Sequence, residues 1–115
     1  MRCKRGDIVL VLFPDSNLRT AKRRPTLVVQ ADDLKTGLSQ TIVAMISSNT
    51  KRAGHPSRVL ISHNTKEGSA TGLKSDSVIL TDNLATVLDN EMDRVIGSLL
   101  HMEQVDIAIR HTLGL

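Results

Sequence analysis

The sequence predicts a mainly β, α+β fold, a small and strongly bent β-sheet or half-open barrel closed by one C-terminal helix. Three observations lead there. Short runs of β-branched and aliphatic residues alternate with turn residues from Asp7 to Leu100. Those runs are nearly continuous in apolar character, as in strands covered on both faces. From Met102 the period becomes helical, and Met102, Val105, Ala108, Ile109, Thr112 and Leu113 make one apolar stripe.

The elements follow in order. Residues 7–13, DIVLVLF, form the first strand, ended by Pro14, Asp15 and Asn17. A cationic loop, RTAKRR (19–24), leads into a second strand, PTLVVQ (25–30). TIVAMIS (41–47) and SRVLIS (57–62) are the third and fourth, joined by the polar loop SNTKRAGHP. A Gly- and Ser-containing stretch precedes the fifth, SDSVILT (75–81). Residues 89–92, DNEM, suit a single helical turn. RVIGSLL (94–100) reads as a sixth strand, because Gly97 inside a helix costs roughly 1 kcal/mol relative to Ala. The terminal helix stops near Gly114.

Composition bounds the function. With 115 residues and 40% hydrophobic content, the chain suits one domain spanning 1–115 with a modest core. Fifteen Lys and Arg against twelve Asp and Glu leave +3, which tolerates a polyanionic partner without demanding one. Cys3 is the only cysteine, which excludes an intramolecular disulfide and fits a reducing compartment. The run Ile8–Phe13 is too short for a signal-peptide core, and no apolar stretch approaches bilayer length, so a cytoplasmic protein with no membrane contact is expected. Phe13 is the only aromatic residue, so holding single-stranded bases by aromatic stacking is largely ruled out. Any bound nucleic acid must be held through phosphates, hydroxyls and base edges. His55, His63, His101 and His111 are scattered without metal-ligand spacing, and there is no Walker loop or GxSxG motif. Neither a metal nor a cofactor is expected.

The cationic stretch is the sharpest local signal. Pro25 restricts Arg24 to extended geometry at the mouth of the second strand. Successive side chains there point to opposite faces, so Arg23 and Arg24 diverge. A guanidinium held this way suits bidentate binding of a phosphate. Ser47, where the third strand meets a polar loop, offers a second donor.

At these residues the chain resembles the MazF/PemK-type toxins of bacterial toxin–antitoxin pairs. KRGDIVLVLF (4–13), RPTLVVQAD (24–32), IVAMIS (42–47) and DSVILTDNLATV (76–87) follow that family's segments in order and approximate spacing. The resemblance implies an SH3-like barrel, a homodimer, and metal-independent, sequence-specific cleavage of single-stranded RNA by 2′-hydroxyl attack. It places the catalytic arginine at Arg24 and the hydroxyl residue ending the third strand at Ser47. Asp82 matches an aspartate used by some members, and His55 is a further candidate acid or base. Arg19, Lys22, Arg23, Ser48, Lys51 and Arg52 are the candidate RNA-binding residues. The implied partners are RNA, an acidic antitoxin that folds on binding, and DNA mainly through the antitoxin complex. Two positions depart from the family: Leu80 replaces an arginine two residues before Asp82, and NLRT (17–20) carries Arg19 where glutamate is common. These departures keep open a competing reading, a catalytically impaired RNA- or antitoxin-binding module on the same fold. A gyrase poison on this scaffold would rely on a C-terminal tryptophan, and the chain contains no tryptophan.

Overall fold

The computed structural model describes residues 3–14, 17 and 19–115. Six antiparallel strands form one sheet, β1 (Asp7–Pro14), β2 (Ala21–Val28), β3 (Gln40–Ser47), β4 (Arg58–Ile61), β5 (Ser77–Leu88) and β6 (Met92–Ser98), in the order β4-β5-β3-β2-β1-β6. A short helix, α1 (Lys66–Ala70), lies between β4 and β5, a 3₁₀ turn spans Asp89–Glu91, and α2 (Glu103–Leu113) ends the chain. β4 and β6 are edge strands, so the sheet is bent but not closed into a barrel. Among the described residues, no helix is long and apolar enough to cross a membrane.

The continuous apolar runs have the cause expected of them, since both faces of the sheet are covered. Ile8, Leu27, Ala44 and Ile46 pack with Val105 of α2 on one face. Val9, Val11, Val28 and Val43 pack with Val87 and Met92 on the other. Neighbours in sequence therefore enter opposite clusters, as the period of two requires. Arg5 ties this arrangement together at the N-terminus. Its Nε donates to the Val29 carbonyl at 3.0 Å and its Nη2 meets Asp106 of α2 at 2.6 Å. Gly114, at φ 71°, caps α2 in the left-handed conformation.

Three expectations change. Lys22, Arg23 and Arg24 do not lie in a loop, because β2 begins at Ala21 and pairs with β1 from Pro14↔Ala21 to Ile8↔Leu27. Of the four cations, Arg19 alone stays outside the strand, in a connection of which Asp15, Ser16 and Leu18 fall outside the described residues. β5 runs on to Leu88 rather than stopping at residue 81. The Gly- and Ser-containing stretch holds α1, with Thr65 capping it by accepting the Gly68 N–H at 3.0 Å.

The site depends on the middle of β3. Its ladder to β2 covers only Val28↔Val43, Leu27↔Ala44 and Thr26↔Met45. On its other side, Ala44 pairs with Leu84 but Met45 pairs with Leu80. Thr81, Asp82 and Asn83 are thus extra residues in a large bulge of β5, and bulges of this kind bend a sheet. Beyond Met45, β3 leaves β2 and continues with β5, which also carries β4. The sheet splits there. Residues 71–76, after α1, cross back toward β6 and form a strap over the split. Glycines allow its close contact with β6, since a Cβ on Gly97 would strike the Ala70 and Thr71 carbonyls and one on Gly72 the Ile96 carbonyl. Gly97→Ala is expected to cost about 1–3 kcal/mol, read as a lower urea midpoint at unchanged m value. An unchanged midpoint would mean that the strap yields without cost.

Candidate functional site

The split opens a cleft of about 670 Å³. One wall is the unpaired edge of β2, carrying Lys22, Arg23, Arg24 and Pro25. Opposite it are Ser47 and Ser48 at the end of β3 and Asn83 from the β5 bulge. The strap contributes Lys74, and β6 contributes Arg94. The β2–β3 register, continued two pairs past Thr26↔Met45, would set Arg24 opposite Ser47. No ladder forms there. Pro25 has no N–H to give, and while the pairing with β1 runs through it, the pairing with β3 starts only after it. Arg24 and Ser47 therefore line the cleft with no ladder joining them.

Charge placement in the cleft is one-sided. Five cations, Lys22, Arg23, Arg24, Lys74 and Arg94, line it, and none of its lining residues is Asp or Glu. Arg23 is committed to Asp93 through Nε at 2.9 Å. Among the described residues, Arg24, Lys74 and Arg94 form no ion pair, so their guanidinium and ammonium donors are available to an anion. Ser47 is half-buried, and its Oγ accepts the Asn49 N–H at 3.1 Å. That bond fixes the oxygen and leaves the hydroxyl hydrogen for a ligand.

A second depression of about 330 Å³ adjoins the first, sharing Ser47 and Leu80. Lys51, Arg52 and Arg58 line it. Leu80, where the resemblance would place arginine, thus sits between the two cavities as an apolar divider. Asp82 and His55 line neither. Asp82 meets Arg58 at 3.1 Å, and this hydrogen bond holds its carboxyl below the usual carboxylate value. His55 Nδ1 accepts the Ser57 N–H at 3.1 Å and lies 2.7 Å from Ser57 Oγ, so the ring hydrogen is on Nε2. Arg19 is exposed and lines neither cavity.

The structure brings together Arg24, Ser47, Lys22, Arg23 and Ser48 in one cleft and Lys51 and Arg52 in its neighbour, while Arg19, Asp82 and His55 stand apart. Sequence reasoning missed Arg58, Lys74 and Arg94. Arg94 could have been found only from register, because it enters the cleft by pairing with Leu10, which also pairs with Pro25.

The profile of the PemK-like, MazF-like toxins of type II toxin–antitoxin systems matches residues 4–113. The chain belongs to this toxin family. Endoribonuclease MazF2 of Mycobacterium bovis and Endoribonuclease MazF6 of Mycobacterium tuberculosis are each 36% identical to it over 109 residues, 90% of this chain and 90% of theirs. The solved structure of Mycobacterium tuberculosis toxin MazF-mt6 shares the fold at a TM-score of 0.74 and 23% identity, covering 95% of this chain and 97% of that one. An endoribonuclease from a mycobacterial species, solved in complex with its cognate antitoxin, gives 0.74 at 18% identity over 98% and 96% of the two chains. The bent sheet with a C-terminal helix is therefore the PemK/MazF fold.

The Arg58–Asp82 pair gives this toxin fold a pH signature. Because the folded-state value is depressed, its stabilisation is complete above the ordinary carboxylate value of 3.8 and is lost as pH falls through the lower folded value. Asp82 is partly exposed, so the contribution is below about 1 kcal/mol. Asp82→Asn is expected to flatten that acid limb in urea unfolding followed against pH. An unchanged limb would remove the pair from the stability of the fold.

Proposed function

We propose that this chain is the toxin of a type II toxin–antitoxin pair and that it cleaves single-stranded RNA at a short sequence motif without a metal, with Arg24 and Ser47 as the catalytic residues. One observation carries the assignment of residues: Arg24 and Ser47 line the same cationic cleft from opposite sides of a split in the sheet. The relatives' activity as endoribonucleases supplies the reaction class.

The 2′-oxygen attacks the neighbouring phosphorus in line, forming a P–O2′ bond as the P–O5′ bond breaks. A 2′,3′-cyclic phosphate and a 5′-hydroxyl result, with one proton leaving O2′ and one arriving at O5′. Negative charge grows on the equatorial phosphate oxygens. Arg24 stabilises that charge, because a guanidinium stays protonated and so is suited to donate rather than to act as a base. Ser47 adds a second donor through its free hydroxyl hydrogen. Preorganised donors of this kind contribute roughly 3–4 kcal/mol each to a transition state. The Nδ1 of His55 is occupied by Ser57, so we give that residue no proton-transfer role. Lys51, Arg52 and Arg58 extend the path of the RNA into the second cavity.

The same unpaired cations suit an acidic antitoxin that folds into the cleft and blocks it. Homodimerisation, DNA contact mainly through the antitoxin complex and a cytoplasmic location complete the reading.

The test is incubation of the protein with a long single-stranded RNA in EDTA, with mapping of product ends. Cuts at a recurring motif with 5′-hydroxyl ends are expected. Arg24→Ala should slow them by roughly 10²–10³, Ser47→Ala should slow them as well, and Ser47→Thr, which keeps the donor, should retain most of the rate. RNA that stays intact while bound to the folded wild type would overturn the enzyme and leave a binding module.

A further inference from the structure

The far wall of the cleft carries two cations that the cleavage chemistry above does not use, Lys74 and Arg94. Building on the proposed RNA cleavage, we propose that this pair holds the phosphodiester flanking the one at Arg24 and Ser47, and so sets the register of the strand in the cleft.

Placement comes from two backbones pressed together. Gly72 of the strap lies against the Ile96 carbonyl, and Gly97 of β6 lies against the Ala70 and Thr71 carbonyls. Lys74 follows Gly72 by two residues, and Arg94 precedes Ile96 by two. Both side chains leave one rigid contact and enter the same cleft. Gly72, at φ 74°, sits in the left-handed region, so the turn that delivers Lys74 favours glycine.

Arg94 has its own station. It pairs with Leu10, which pairs with Pro25, so its backbone lies two strand spacings from that of Pro25, roughly 10 Å. A phosphate held there is a different one from the phosphate at Arg24.

The nearby acids leave both cations free. Asp93 is paired with Arg23, and Asp76 accepts the His63 N–H at 3.0 Å with its Oδ1 2.7 Å from His63 Nδ1. Asp82 is held by Arg58. Among the described residues, neither Lys74 nor Arg94 has a carboxylate partner, whereas Arg23 on the opposite wall does. Two unpaired donors with mixed geometry, one planar fork and one point charge, suit a phosphodiester.

The experiment uses the full chain and a fluorescent RNA oligonucleotide with 2′-O-methyl sugars throughout, which cannot undergo 2′-hydroxyl attack. Binding is followed by anisotropy over a range of salt concentrations, and cleavage of unmodified RNA is measured in parallel. Each phosphate contact on a single strand contributes about 0.7 to the slope of log K against log salt. Lys74→Ala and Arg94→Ala are each expected to lower that slope by about 0.7, and their combination by about 1.4. KM for unmodified RNA should rise about tenfold with kcat unchanged, as for loss of uniform binding. Lys35→Ala, outside the cleft, should leave both values as in wild type. A wild-type slope in the folded double variant would overturn the phosphate site and leave the cleavage proposal standing. A fall in kcat without a change in KM would also overturn it, by moving the pair to the reacting phosphate. A wild type that neither binds nor cleaves RNA would overturn both proposals together.

Discussion

At Met45 two interruptions of hydrogen bonding coincide. On one side of β3 the ladder to β2 ends at Thr26↔Met45, and on the other β5 bulges out by Thr81, Asp82 and Asn83. Either interruption alone would leave a local irregularity in a continuous sheet. Together they let β3 change direction, so that its last residues travel with β5 and β4 while β2 stays with β1. The cleft is the space between those two bodies. Its polar lining is the direct product of the break, because Arg24 precedes the proline where pairing fails, Ser47 follows the kink and Asn83 belongs to the bulge.

The two clusters of the core explain why such a break is tolerated. Leu27 and Ala44 enter one cluster, and Val28 and Val43 the other, so the paired stretch just before the split is buried on both faces. Burial at the two faces contributes on the order of 25 cal/mol per Å² of apolar surface. Past the split the first cluster continues through Ile46, Ile61 and Ile79, with Val105 of α2 packed in it. Thr81, the first bulge residue, donates to the Ser57 carbonyl at 2.5 Å and lies 2.8 Å from Thr112 of α2. The bulge is thereby fastened to the helix instead of fraying. A bent surface is kept rigid, as a site for preorganised donors needs.

How much of this was legible in the sequence depended on where burial writes a pattern. Five strands showed as apolar runs, Gly97 correctly argued for a strand over a helix, and the 3.6 period marked α2. Ala21–Arg24 left no such trace. That half of β2 pairs on one side only and exposes Lys22, Arg23 and Arg24, so its residues look like a loop even though the backbone is a strand. Asp82 and Asn83 carried the composition of a turn, which hid the continuation of β5, and a bulge shares that composition because it too leaves backbone unpaired. α1 has five residues, one of them glycine, and buries too little to show a helical stripe. Lys74 and Arg94 were invisible for a different reason. Their nearness to Arg24 is a fact of register and of glycine contacts between distant segments, and no local pattern encodes it.

The choice between Arg23 and Arg24 shows why geometry rather than charge count decides the site. Both line the cleft, and a net charge of +3 does not separate them. Alternation along β2 turns their side chains to opposite faces, and on its own face Arg23 finds Asp93 at 2.9 Å. A guanidinium already sharing its donors with a carboxylate gives up part of that interaction to hold a phosphate. Arg24 gives up nothing, and the ring of Pro25 next to it prevents β3 from closing over its position. The order Arg-Arg-Pro therefore assigns one cation to holding the sheet edge and leaves the next one free for the anion.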